Sequence, residues 1–261
     1  GKYYIIKLNK GQAILTLNDV APGNYLIKAN LNSYAYTSNN VEQEFKVNPR
    51  STIITLNTDS FHFNKDIYCP VTLTDEFDNI IANAKVSLSI NGRTFNAVTN
   101  KSGVALIKFN ANAGDYNINI SFAGNDKYMR TSLAKKITVQ SSINLPEITK
   151  YTFNSNYLAV LFDGEGKVVK NKNVKILVND KEYQNSTNAS GVLNFNIGLS
   201  VGSYTISVTN PVTGEVKTQN IKVIKRITGN TGVAMYYGAG KAYKVRVELQ
   251  SVYERLYSRL V

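Results

Sequence analysis

The sequence has no tryptophan, one cysteine, one histidine, two methionines and five prolines in 261 residues. Each scarcity removes a class of protein. Cys69 stands alone, so no disulfide can form within the chain and a cysteine-stapled scaffold is excluded. His62 also stands alone, which excludes a histidine triad or a multi-histidine metal centre built from this chain. No window approaches the roughly 18 consecutive apolar residues of a membrane span, and no signal segment precedes Gly1. The chain opens on glycine in what reads as mid-domain. It is expected to be an excised piece of a longer protein whose targeting segments lie elsewhere.

Acidic residues are also in deficit, leaving a net charge of +12. The excess is not concentrated. Residues 1–48 hold five basic and three acidic groups, and 49–140 hold ten and seven. Residues 141–225 hold nine and six, and 226–261 six and two. A nucleic-acid reader gathers Lys and Arg on one face with aromatics among them. An even excess serves solubility instead, so no nucleic-acid partner is expected.

What is abundant is Val, Ile, Tyr and Phe, with Asn between them, and a hydrophobic content of 43% that suffices for packed cores. Half-buried strands favour β-branched and aromatic residues, while Asn serves turns. The fold class expected is all-β. Self-similarity then sets the organisation. Residues 73–120 align without a gap on 161–208, a shift of 88. Asp75 falls on Asp163, Asn83 on Asn171, Asn91 on Asn179 and Thr99-Asn100 on Thr187-Asn188. Ser102-Gly103-Val104 falls on Ser190-Gly191-Val192, and Gly114-Asp115-Tyr116 on Gly202-Ser203-Tyr204. Asn9-Lys10-Gly11 and Pro22-Gly23-Asn24-Tyr25 mark an earlier copy, and Tyr243–Val247 resembles Tyr157–Leu161. The expected domains are the C-terminal part of a repeat at 1–48, complete repeats at 49–140 and 141–225, and a truncated start of another at 226–261.

Within each copy the apolar period is 2, the mark of strands with one buried face. Val86, Leu88 and Ile90 match Val174, Ile176 and Val178; Ala105, Ile107 and Phe109 match Ala13, Leu15 and Leu17. Short strands with turns every 8–12 residues describe tandem immunoglobulin-like β-sandwich repeats. Tyr25, Tyr116 and Tyr204, each two residues after a glycine, fit a corner in which the hydroxyl bonds to backbone while the ring packs inward. A helical spacing of Val252, Leu256 and Leu260 departs from the pattern at the end.

The order Asp-x-x-(Asp/Gly), Asn-x-x-Val, Thr-Asn-x-Ser-Gly-Val and Gly-x-Tyr-x-Ile resembles bacterial-type Ig-like (Big) repeats. It most resembles those of adhesin-like cell-surface proteins of methanogenic archaea. Asn210-Pro-Val-Thr-Gly-Glu215 and Met235-Tyr-Tyr-Gly strengthen the likeness, which covers nearly all of residues 1–247. The resemblance implies a non-catalytic structural stalk or spacer, extracellular and at the cell surface, whose partners are neighbouring Ig-like repeats of the same protein. The alternatives it leaves open are a binding module for glycan, cell-wall polymer or partner protein, and an accessory domain of a wall-active enzyme.

Individual candidates are few. His62, between Phe61 and Phe63, reads as a strand residue, and Cys69 as a buried, inert thiol filling core space. Asp75, Glu76 and Asp78 cluster in one loop, matched by Asp163 and Glu165 in the next copy, and such loops offer carboxylates (Asp75, Asp78 and Asp163 first) that a calcium ion would draw on, although the glycine-containing pattern also answers turn chemistry. Asn100, Asn119, Asn185 and Asn188 head glycosylation sequons. Lys and Asn are too plentiful to single out a trio for an internal isopeptide bond. No cofactor and no catalytic residue is expected.

Overall fold

The computed structural model describes residues 2–31 and 40–225 and, for the backbone alone, 227–228 and 246–247. The readings made above for Met235–Gly238 and for residues 251–261 lie outside the described residues.

The first described strands are β1 (Gly23–Ala29) and β2 (Val41–Val47), an antiparallel pair in which Tyr25 faces Phe45 and Lys28 faces Glu42. The Tyr25 and Phe45 rings stack with centroids 5.3 Å apart. One expectation fails here. Residues 13–18 form no strand; Ile14 is 83% exposed, Ala13 is exposed, and Leu15 and Leu17 are only half-buried. In the later copies the matching strand is held by a neighbour in a three-stranded sheet. No such neighbour is present among the described residues here, and backbone groups without a ladder do not hold a strand.

Two sandwiches of one topology follow. The first has β3 (Thr52–Leu56), β4 (Ser60–His62), β5 (Ile67–Asp75), β6 (Lys85–Ile90), β7 (Arg93–Val98), β8 (Val104–Phe109), β9 (Gly114–Phe122) and β10 (Thr131–Gln140). Its sheets are ordered β3-β5-β8 and β4-β10-β9-β6-β7, with β4 parallel to β10. The second has β11 (Ile143–Asn144), β12 (Lys150–Thr152), β13 (Ser155–Leu161), β14 (Asn173–Val178), β15 (Lys181–Ser186), β16 (Val192–Ile197), β17 (Gly202–Thr209) and β18 (Val216–Ile224). Its sheets are β11-β13-β16 and β12-β18-β17-β14-β15, again with a parallel first strand. β19 (Ile227–Thr228) and β20 (Arg246–Val247) form a last antiparallel pair.

The chain is therefore all-β, built of tandem immunoglobulin-like sandwiches. β6, β7 and β8 coincide with β14, β15 and β16 at both ends under the 88-residue shift. The alternation of the sequence becomes an alternation of burial: Val86, Leu88 and Ile90 are inside in β6, and Val174, Ile176 and Val178 in β14. Burying such a side chain contributes about 1.5–3 kcal/mol, whereas exposed ion pairs such as Lys28–Glu42 and Lys175–Glu182 contribute about 0–1 kcal/mol each. Burial, not charge, selects the fold.

The turns repeat as well. Asn91-Gly92 and Asn179-Asp180 take positive φ at both residues, the backbone demanded by a two-residue hairpin that matches strand twist. Asn100 and Asn188 each accept two loop amides on Oδ1, from Ser102 and Val104 and from Ser190 and Val192. Gly103 and Gly191 follow at φ of 72° and 74°. A Cβ on either would press within 3.1 Å of the carbonyl oxygen of Leu73 or Leu161. Thr99 and Thr187 are buried, and each hydroxyl accepts the amide of an equivalent residue, Ala84 or Lys172.

By contact density the chain divides into two compact units. One comprises Gly1–Asn57, Cys69–Ile107 and Asn117–Lys135; the other comprises Thr58–Tyr68, Lys108–Tyr116 and Lys136–Val261. Strands β5, β8, β9 and β10 run unbroken through the division.

Candidate functional site

The polar residues that recur in the repeat are engaged by the fold itself. Tyr25, Tyr116 and Tyr204 each donate their hydroxyl to the carbonyl four residues earlier, of Ala21, Asn112 and Ser200, at 2.7, 2.8 and 2.9 Å. All three rings are half-buried. A Cβ on the preceding glycine would lie 3.4 Å from the ring in the case of Tyr25 and Tyr204. The glycine opens each strand beneath the ring rather than forming a turn.

Asp75 and Asp163 serve equivalent loops. Asp75 Oδ1 accepts the amides of Phe77 and Asn79; Asp163 Oδ1 accepts those of Glu165 and Lys167. Asp75 is fully buried within its loop and also binds Arg50 Nη1 at 2.7 Å and Asn79 Nδ2 at 3.1 Å. Burial alone would raise its pKa, but Arg50, Asn79 and the two amides outweigh it and pull the carboxyl down to about 2. Asp78 is exposed and holds a φ of 60° at the position of Gly166. No group of three Asp, Glu, His or Cys side chains able to hold a metal ion occurs among the described residues. Asp75 and Asp78 belong to the loop after β5, and Asp163 to the equivalent loop after β13.

Cys69 is buried in β5, and burial pushes its thiol up to about 12, far from the thiolate that nucleophilic chemistry needs. His62 closes β4 opposite Gln140. Asn100 and Asn188 are exposed at their turns, and Asn119 is exposed within β9 opposite Ser89. Asn185 in β15 is exposed but spends its amide on the carbonyl of Asn194 at 2.6 Å.

Two features go beyond what the motifs show, the first by joining the Asn210–Glu215 motif to the entering chain. The first is a polar cluster that holds the chain where it enters the second sandwich. Glu215, buried after the β17 turn, accepts the amide and hydroxyl of Ser142 on Oε2 and the hydroxyl of Ser141 on Oε1. Asn210 adds bonds from Nδ2 to the carbonyls of Ser142 and Phe162, and the Thr213 hydroxyl lies 2.7 Å from that of Ser142. The second is an open cleft of about 580 Å³ whose lining includes Ser60, His62, Asn64, Tyr68, Asp163 and Glu165. Tyr68 is half exposed at its edge. No helix among the described residues is long and apolar enough to cross a membrane.

No protein-family model matches the chain, and no curated protein matches it. Among solved structures it is similar to the fibronectin(III)-like modules of Clostridium thermocellum CbhA, at 15% identity and a TM-score of 0.25 over 66% of this chain and 95% of that one. It is similar to the Yersinia pseudotuberculosis adhesin InvE at 14% identity and a TM-score of 0.26, covering 66% of this chain and 58% of that. Bacteroides ovatus SGBP-B from a mixed-linkage glucan utilization locus, in complex with a mixed-linkage heptasaccharide, shares 17% identity at a TM-score of 0.28 over 85% and 61%. The chain spans less than two thirds of the last two.

Proposed function

We propose that the chain is a non-catalytic spacer, a run of Ig-like repeats in the stalk of an extracellular, adhesin-like surface protein. The units of that run are 1–48, 49–140, 141–225 and 226–261, and the motif resemblance points to bacterial-type Ig-like repeats of methanogenic archaea. One observation carries the reading. The polar groups that recur at 88 residues, at Asp75, Thr99, Asn100, Tyr116 and their partners, are directed to the chain's own amides and carbonyls. What the repeat preserves is scaffold, as a module that stacks on its neighbours requires. Fold alone does not assign function, so the test is binding. The full chain, immobilised and offered a glycan array and purified cell-wall polymers, is expected to retain nothing. Saturable retention would overturn the spacer reading. A binding module is the second reading, favoured by the cleft beside Tyr68, and it expects retention to fall on Tyr68→Ala.

A further inference from the structure

The loop after β13 reads Asp163-Gly164-Glu165-Gly166, where the loop after β5 reads Asp75-Glu76-Phe77-Asp78. Both are folded by the same bonds. The amides of Asp78 and Gly166 donate to the carbonyls of Asp75 and Asp163, each at 3.1 Å, and the Asp side chains hold equivalent amides. The turn does not itself demand glycine. Asp78 holds a φ of 60° where Gly166 has 80°, and Gly164 is not in the left-handed region at all.

What sets the second loop apart is what faces it. A Cβ on Gly164 would collide with Asn64 Nδ2 and lie 2.9 Å from Asn64 Cγ. On Gly166 it would collide with His62 Nε2 and lie 2.6 Å from His62 Cε1. Gly214, before β18, would place one 3.0 Å from Lys65 Cε. All of these fall inside the ~3.5–4.0 Å at which carbon atoms rest. Three side chains of one short turn, residues 62–65, thus each lie against a glycine. That turn belongs to the same compact unit as the second sandwich.

We propose that Gly164, Gly166 and Gly214 form a side-chain-free seat that recognises the 62–65 turn of the preceding sandwich. The joint then accepts only an Ig-like repeat with glycine at the second and fourth residues of this loop. Rejection by clash is an efficient source of specificity, since packed groups have no room to yield. The first sandwich, with Glu76 and Asp78 at these places, could not take the second one's position, so the order of repeats is written sterically. This rests on the tandem-repeat reading, but a joint that fails the test below leaves the binding result above untouched.

The full chain in a weakly aligning medium gives residual dipolar couplings for the amides of residues 58–68 and 108–116 and for those of β13, β14 and β17, all within one compact unit. In the native chain both sets are expected to fit one alignment tensor. Gly164→Glu with Gly166→Asp borrows the residues of the first loop, which this fold accepts, and is expected to split the tensor in two. The resonance of His62, the sole histidine, should shift toward that of an exposed imidazole. His62→Ala added to Gly166→Asp should bring the two tensors back together. A native chain that already needs two tensors overturns the proposal, as does a glycine variant that still needs one. Should the double substitution disturb the amide dispersion of the second sandwich, Gly164→Ala carries the same test without backbone strain, and a single tensor there overturns it.

Discussion

The two complete sandwiches share topology, and three of their strands share bounds, yet they close on themselves with different chemistry. In the first, the entering chain is pinned by an ion pair, Arg50 to Asp75, and by backbone bonds between Arg50 and residues 127 and 129. In the second, the same task falls to uncharged donors, Ser141 and Ser142, gathered on the buried Glu215. Bulk is redistributed as well. Cys69 and Phe109 stand where the second has Tyr157 and Ile197, a small and a large residue exchanged for a large and a middle-sized one. Inner packing tolerates exchange when total volume is kept. Between the copies, what is held constant is the set of positions that turn the chain; what drifts is how each copy meets the segment before it.

The largest expected effect is at Glu215. Glu215→Ala leaves the buried Ser142 amide without its acceptor and takes one partner each from the Ser141 and Ser142 hydroxyls, which keep the Ile143 carbonyl and the Thr213 hydroxyl; a buried donor left unmade costs about 1–3 kcal/mol. A loss of about 3 kcal/mol is expected in the second sandwich. A single melting midpoint is ill-defined for a multi-domain chain, so amide exchange of β14 and β17 against β6 and β9 is the measurement. Equal loss in both sets would break the comparison.

The ion pair predicts the next effect and its pH window. Asp75 titrates at about 2 in the folded chain, below the ~3.9 of a free aspartate. A depressed carboxyl stabilises the fold above its unfolded pKa, and that contribution is lost as pH falls through the folded value. Protection of β6 and β9 should therefore weaken from about pH 4 down to about pH 2. Asp75→Asn should cost about 2 kcal/mol at neutral pH, discounted because Arg50 is half exposed, and should flatten the acid limb. An acid limb that survives in the variant would assign it elsewhere.

A smaller and shared effect is expected at the corners. Tyr204→Phe removes a bond to the Ser200 carbonyl from a half-buried ring, so about 1 kcal/mol is expected in the second sandwich. Tyr116→Phe should cost the same in the first, judged by the same exchange experiment. Unequal costs would mean that the corners, too, have drifted.

How far this was legible depends on the range of the interaction. Period-2 alternation locates β6, β8 and β9 because each strand buries one face whatever its partners do. The turns are legible because Asn, Gly and Asp act on their own backbone. The parallel pairing of β4 with β10 and of β12 with β18 was not, since it joins residues some 70 to 80 positions apart with no shared motif. The alternation at Ala13, Leu15 and Leu17 misled for the complementary reason: no partner strand lies beside it among the described residues, and a pattern without a ladder forms no strand. Arg50 and Ser142 lie in entering segments outside the 88-residue register, and the Asn210–Glu215 motif carries no sign in the sequence that Glu215 reaches Ser142. Gly164 and Gly166 sit in a loop whose pattern turn chemistry alone accounts for. Comparing them with Glu76 and Asp78 position by position is the signal that would have set them apart.

The smallest effect is expected where the two cores differ most plainly. Tyr157 occupies the place of Cys69, with its ring 5.8 Å from that of Tyr151 and its hydroxyl buried without a hydrogen-bond partner among the described residues. Tyr151, by contrast, donates to the Ile148 carbonyl at 3.0 Å. A buried hydroxyl with no partner loses water without replacement, so removing it leaves the ring's packing and discards a cost. Tyr157→Phe should therefore leave the second sandwich unchanged or firmer by up to about 1 kcal/mol, opposite in sign to Tyr204→Phe. If Tyr157→Phe proves as costly as Tyr204→Phe, its hydroxyl is bonded in solution, and the contrast drawn between the two tyrosines is wrong.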